Sequence, residues 1–383
     1  MKRIFPKSLE ERWKDPKGLI QVLTGPRQVG KTFAAQQLMV ADETIFASAD
    51  LPTPPTANFI MDHWISARKV PAAERTLVLD EVQKIPRWSE VVKGLWDEDQ
   101  KNKIPLRVCL LGSSALLIEK GLSESLMGRF EASYFPHWTY RECRQLANIN
   151  WETYIRIGGY PKAYDFVDSR DRLENYLQNS ILEPTLGRDI LSLHSVDKPA
   201  LLRQLFWYVS RLPSRIVSYE KILGHLQGQG NSATLVHYAD LLSKAFLICP
   251  ISKYSYRTHR TKRSIPKWIL PNPALVAQSL RNESHLDGFV IENAVGGHLL
   301  NLMFGNKDFE LLYWRDGTDE IDFVVTRHHE PLIAIEVKSG RSKGVPDLES
   351  RKKSGLTCSF ITITLKNIEP FFDTCSIESI CNF

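Results

Sequence analysis

The sequence predicts an α/β protein with a doubly wound parallel-sheet domain first, a helical middle ending in a winged-helix-like segment, and a second α/β domain last. Three observations predict it. Short apolar runs alternate with helical stretches over the first 140 residues, as strands joined by crossover helices require. Apolar residues then recur at three- and four-residue intervals through a long middle. The last hundred residues open on an apolar helix and pass into strand alternation.

In the first part the expected strands are Leu19 to Thr24, Thr44 to Ser48, Thr76 to Asp80, Leu106 to Gly112 and Glu131 to Phe135. Leu51-Pro52-Thr53-Pro54-Pro55 reads as a surface loop, and Pro136-His137-Trp138 marks the exit from the last strand. Helices are expected at Trp151 to Ile157, Asp171 to Ile181 and Pro199 to Arg211. Ser218 to Leu226 and Ser232 to Ala245 read as two more, joined by the turn Gln227-Gly228-Gln229-Gly230 and followed by a strand-like Phe246 to Ser252, hence a helix-turn-helix with a wing. Phe289 to Met303 is the apolar helix, followed by strands at Glu320 to Thr326, Pro331 to Ser339 and Thr357 to Thr364. The expected division is 1–145, 146–215, 216–275 and 276–383.

A chain of 383 residues with 43% hydrophobic and 24% charged residues is ordinary globular material, which excludes long disorder, collagen-like repeats and coiled coil. No run reaches the roughly 18 apolar residues of a membrane span, and MKRIFPKSLEERW lacks the apolar core of a signal peptide, so the expectation is a cytoplasmic protein with no membrane partner. The six cysteines include no CxxC pair, which argues against a disulfide framework or a zinc ribbon. A net charge of +5 is mild, yet no Asp or Glu occurs from Leu241 to Asn282, so positive charge gathers there.

Gly25-Pro26-Arg27-Gln28-Val29-Gly30-Lys31-Thr32 fits G-x-x-x-x-G-K-[ST] between an apolar strand and a helix that continues through Phe33, the context a phosphate loop needs. Glycines let main-chain amides approach the phosphates of ATP, Lys31 would neutralise the β and γ phosphates, and Thr32 would hold Mg2+. Leu77-Val78-Leu79-Asp80-Glu81 is an apolar strand ending in paired acids. Asp80 would hold Mg2+ through water, and Glu81 would orient or deprotonate the attacking water. Leu110-Leu111-Gly112-Ser113-Ser114 ends a strand at the same sheet edge. Ser113 there is either a hydroxyl that positions water and senses the γ-phosphate or plain turn chemistry. Arg129, ahead of the fifth strand, is either a surface arginine or a finger reaching a neighbouring subunit, the latter implying a homo-oligomer.

GPRQVGKT at 25–32, LVLDEVQ at 77–83, LLGSSA at 110–115, ESLMGRF at 124–130, GGYP at 158–161 and the later EIDFVV and IEVKSG resemble the AAA-type ATPases of the AAA_14/DUF4143 family over nearly the whole chain. The resemblance implies a P-loop ATPase domain, a helical and winged-helix-like middle and a C-terminal restriction-endonuclease-like domain similar to PD-(D/E)XK nucleases. Where many relatives carry an aspartate after the wing, this chain has Asn272, to which no chemistry is assigned.

If Glu320 to Thr326 and Pro331 to Lys338 pair as a hairpin around 329, Asp322 and Glu336 face each other, and like charges so placed need a cation between them. A divalent ion would satisfy both, Lys338 on the same face would activate water, and Glu292, interrupting an apolar helix face, would add a ligand. Three readings follow: a cutting site, a non-cutting DNA-binding site, or a solvated strand face with Lys338 paired to Glu320. The basic stretch Lys253 to Arg263 interleaves Tyr254 and Tyr256 with Arg257, Arg260, Lys262 and Arg263. It is either a nucleic-acid surface, DNA first, or a solvated loop.

Overall fold

The computed structural model describes residues 7–15, 18–53, 55–71, 75–112, 125–193, 196–226, 230–255, 264–277, 280, 286–340, 352–381 and 383. The chain forms two compact units, Met1–Phe135 and Pro136–Phe383.

In the first unit α1 (Lys7–Lys14) precedes β1 (Ile20–Thr24), α2 (Lys31–Leu38), β2 (Thr44–Ser48), α3 (Ala57–Arg68), β3 (Thr76–Asp80), α4 (Trp88–Asn102), β4 (Arg107–Gly112) and β5 (Phe130–Tyr134). The strands lie in the order β2-β3-β4-β1-β5 and every pairing is parallel, the doubly wound sheet the sequence predicts. β1 is buried along its whole length, which is why Ile20-Gln21-Val22-Leu23-Thr24 reads as a nearly continuous apolar run; its one amide, Gln21, donates to Glu131 Oε2 at 2.9 Å. From β1 the chain crosses to the far edge at β2 and returns through β3 and β4. The strand order therefore reverses beside β1, the place where open α/β sheets take ligands at their carboxyl ends. α3 and α4 are stapled on the side by buried Asp99, which accepts from Trp64 Nε1 at 2.7 Å and pairs with Arg68 at 2.7 Å.

The second unit begins with α5 (Tyr140–Ala147), opened by a Thr139/Glu142 capping box, and α6 (Trp151–Ile157). α7 (Arg170–Tyr176) runs on through π-helical turns at Leu177–Leu182 and Thr185–Asp189 into α8 (Ile190–Leu193). Next come α9 (Pro199–Val209), α10 (Tyr219–His225) and α11 (Ser232–Lys244). Ser218 and Asn231 cap the last two helices by accepting from the amides of Lys221 and Thr234. Of the glycine-rich turn expected between them, 227–229 lie outside the described residues.

β6 (Cys249–Lys253) and β7 (Lys267–Ile269) pair antiparallel after α11, where the sequence places a wing. They do not stand alone. β6 also pairs in parallel with β8 (Phe309–Asp316), so the hairpin extends a six-stranded sheet ordered β11-β10-β9-β8-β6-β7, with β9 (Asp319–Arg327), β10 (Glu330–Lys338) and β11 (Ser359–Thr364). Neither β7 nor β8 is among the expected strands: three residues are too few to show a period, and Phe309 to Asp316 carries charges at both ends of a four-residue apolar centre. α12 (Gly288–Leu302) packs on this sheet so tightly that a side chain at Gly296 would meet the Phe323 ring at 2.8 Å.

Candidate functional site

The phosphate loop leaves the buried end of β1. Gly25 has φ 154°, and a Cβ there would stand 2.1 Å from the Phe135 carbonyl oxygen, so only glycine fits. Gln28 at φ 59° and Gly30 at φ 82° turn the main chain left-handed before α2 begins. Val29 anchors the loop with a fully buried side chain. Lys31 Nζ donates to the carbonyls of Gly25 at 3.0 Å and Pro26 at 2.6 Å, and the first turn of α2 carries no acid. Lys31 is the first residue of α2, so the N-terminal end of that helix and a buried ammonium lie together, a combination suited to a polyphosphate. Phe33, expected beside the nucleotide, is 47% exposed on α2.

Thr32 Oγ1 donates to Asp80 Oδ2 at 3.0 Å, while Asp80 Oδ1 accepts from the Glu81 amide at 2.9 Å. The hydroxyl and carboxylate expected to serve Mg2+ are therefore together, and this oxygen pair fits a hard cation. Glu81 sits at φ 53°, uncommon for a side chain of its kind, and its Oε2 accepts from Gln83 Nε2 at 2.5 Å. Gln83 was not among the expected site residues, although it lies in the LVLDEVQ run. Ser113 lies outside the described residues. Arg129 meets Asp97 of α4 in two bonds of 2.7 and 3.1 Å; that partner raises its pKa above the ordinary arginine value, and Arg129 holds Asp97 below the usual carboxylate range.

In the second unit the β9–β10 hairpin is paired as far as Ile335 against Phe323, the neighbours of Glu336 and Asp322. His328 and His329, both at positive φ, form a two-residue turn in which Glu330 faces Arg327; carried on unbroken, that register would set Asp322 against Ile335. An irregularity between Pro331 and Ile333 shifts the pairing by one, so Ile335 faces Phe323, the last pair of the ladder. Lys338 Nζ lies 3.5 Å from Glu336 Oε2, and the pairing of Lys338 with Glu320 does not form.

Glu320 is engaged elsewhere, by a lysine of the acid-free window Leu241 to Asn282. Lys267 of β7 is fully buried, and its Nζ lies 2.5 Å from Glu292 Oε1, 3.0 Å from Glu320 Oε1 and 3.4 Å from Asp322 Oδ1. Burial opposes its charge, but Glu292, Asp322 and Glu320 outweigh it and push the pKa above the ordinary lysine value. Burial raises the Glu292 carboxyl, and the Lys267 ammonium 2.5 Å away opposes that rise and favours the charged form. Among the described residues, Glu292, Glu320 and Asp322 are the acids whose oxygens converge within 4.8 Å, and an ammonium already stands among them. Asp322 Oδ2 is also taken, by the Val337 amide at 2.8 Å. The donor set as built does not fit a divalent ion. The sequence signal was a lone lysine heading the buried run Trp268-Ile269-Leu270.

Tyr254 requires a correction: it is 7% exposed, packed with Leu312, Trp314 and Ile321, and a buried ring offers no face on which a base can stack. Tyr256, Arg257, Arg260, Lys262 and Arg263 lie outside the described residues. Asn272 has a structural task. It is fully buried, its Oδ1 accepts from the amides of Gly159 at 2.9 Å and Ala274 at 3.1 Å, and its Nδ2 stands 3.0 Å from His137 Nδ1. No helix among the described residues is long and apolar enough to cross a membrane.

An all-parallel sheet, a lysine-bearing phosphate loop at its reversal point and an Asp-Glu pair on the neighbouring strand end together define a P-loop ATPase. The chain matches the AAA domain family over residues 17–143, the domain of unknown function DUF8612 over 148–286 and the domain of unknown function DUF4143 over 287–364. Residues 17–143 are thus an AAA domain of the AAA_14 family, and residues 287–364 a DUF4143 domain. Among solved structures it is similar to a Walker-type ATPase of Pyrococcus abyssi at 16% identity, covering 71% of this chain and 95% of that one with a TM-score of 0.44. It is also similar to Thermotoga maritima RuvB at 16% identity, 64% and 87% coverage and a TM-score of 0.35. For Cdc6p from Pyrobaculum aerophilum the values are 11%, 67%, 89% and 0.32. A search of curated proteins gives no match.

Proposed function

We propose that the protein is an Mg2+-dependent ATPase whose turnover is coupled to nucleic-acid binding by the unit Pro136–Phe383. The observation that carries the ATPase part is the chain of contacts from Thr32 through Asp80 to Glu81, set beside the Lys31 ammonium. Lys31 would exchange two carbonyls for the β and γ phosphate oxygens, an ion pair in place of bonds to neutral acceptors. Mg2+, when bound, would neutralise phosphate charge next to Thr32 and Asp80. Glu81 would accept the proton of the attacking water, with Gln83 fixing its carboxylate until the nucleotide is in place. Arg129 acts as a finger only if it is released from Asp97.

For the C-terminal domain the buried ammonium among Glu292, Glu320 and Asp322 favours binding without cutting. Nucleic-acid binding is supported by the basic stretch, with DNA the first substrate to try. The test combines two readouts. ATP turnover should rise on addition of single- or double-stranded DNA, and an unchanged rate would remove the nucleic-acid coupling. End-labelled DNA should stay intact with Mg2+ or Mn2+, with and without ATP, whereas cleavage that disappears in Glu336→Ala would establish a nuclease instead.

A further inference from the structure

We propose that Lys267 is the resident cation of the C-terminal domain: its ammonium occupies the space among Glu292, Glu320 and Asp322, so this cluster excludes divalent metal ions. The inference rests on the non-cutting reading above and gives it a physical cause.

Three carboxylates brought within 4.8 Å repel one another unless a cation lies between them. An ammonium has three donors and no acceptor, and Lys267 Nζ has three carboxylate partners at 2.5 to 3.4 Å, with the Asp322 carbonyl at 3.2 Å and the Phe323 ring at 5.0 Å besides. Mg2+ needs oxygens at about 2.0–2.1 Å in near-octahedral array, so an ion bound by these oxygens would sit against Nζ, like charge to like charge.

Nor does the lysine have an easy way out. It is 0% exposed, and its main chain pairs with Ile251 on one side and bridges to Ile216 on the other. Strand and helix are locked together next to it, because Asn293 both accepts from the Leu270 amide at 2.9 Å and donates to the Leu270 carbonyl at 3.1 Å. Asn301 Nδ2 adds a bond to the Pro271 carbonyl at 2.9 Å. A side chain at Gly297 would stand 3.0 Å from that same carbonyl, so α12 lies hard against the end of β7 and Glu292 stays beside Lys267. The second expected carboxylate does not offer an alternative seat, since Glu336 is 5% exposed and has Lys338 at 3.5 Å.

The test is Mn2+ uptake by the nucleotide-free full-length protein, followed by electron paramagnetic resonance of free Mn2+. Wild type and Asp322→Asn should take up Mn2+ identically. Lys267→Met should gain one Mn2+ per chain with an affinity at least about tenfold above any wild-type site, and the gain should vanish in Lys267→Met combined with Asp322→Asn. Wild-type uptake that Asp322→Asn abolishes would overturn the inference, and that comparison needs no change at Lys267 should the methionine variant fail to fold. A folded Lys267→Met with no gain would overturn it too. Asp322-dependent uptake without DNA cleavage defeats the inference and leaves the non-cutting reading standing. Cleavage without such uptake defeats the reading and supports metal exclusion.

Discussion

Lys31 reaches two main-chain carbonyls, whereas Lys267 reaches three carboxylates, and that difference decides what each will admit. A lysine held by neutral carbonyls exchanges them for phosphate at little cost; one held by full charges does not. Lys31→Ala should therefore weaken ATP binding about 10- to 100-fold by calorimetry, the worth of one hydrogen bond to a charged group. A second residue sets a pH response. His298 is 1% exposed against Phe371, Phe372 and the Thr374 hydroxyl, and burial lowers its pKa from the ordinary 6.5 to about 3. Unfolded chains take a proton there below about pH 6.5 while the folded one does not, so stability is whole above that pH and falls as pH drops toward 3. The slope reaches about 1.4 kcal/mol per pH unit, and denaturant melts of His298→Gln should lose that component. Phosphate-loop residues were legible because their spacing is local, eight consecutive positions between strand and helix. Lys267 was not, since its partner Glu320 lies 53 positions away and the pairing exists only once β7 and β9 share a sheet.

At the scale of elements, β1, β3 and β4 were readable because strands covered on both faces must be nearly all apolar; the edge strands β2 and β5 are more exposed, yet each of the five appears within a residue or two of its expected bounds. The β9–β10 hairpin is built differently from the simple count about a centre. A centre at 329 puts Asp322 opposite Glu336, yet the turn is His328-His329 and an irregularity beyond Pro331 shifts the pairing by one. Bulges leave no clear mark in a single sequence. The turn itself yields a prediction: both histidines hold φ of 51° and 69° and are exposed, a conformation Asn-Gly adopts with less strain. Replacing the pair by Asn-Gly should stabilise the protein by about 0.5–1 kcal/mol in thermal melts, and a lower melting temperature would show that the histidine side chains themselves support the hairpin. Tyr254 marks the opposite failure. A tyrosine inside a run of basic residues reads as a surface feature, but the pairing of Ser252 and Lys253 with β8 draws the next residue into the core.

On the scale of the whole molecule, the two compact units carry different kinds of site, a phosphate loop in Met1–Phe135 and a self-neutralised charge cluster in Pro136–Phe383. In the proposed function the first unit is the source of chemistry and the second a binding module. The claim on which it all depends is that Glu81 performs hydrolysis at a site that Lys31, Thr32 and Asp80 assemble. Glu81→Gln keeps the size of the side chain and removes its capacity to take a proton. Steady-state Mg2+-ATP turnover measured beside ATP binding tests it most directly. The expected result is a rate at least about 100-fold below wild type with binding retained. Equal turnover in the two proteins would contradict it.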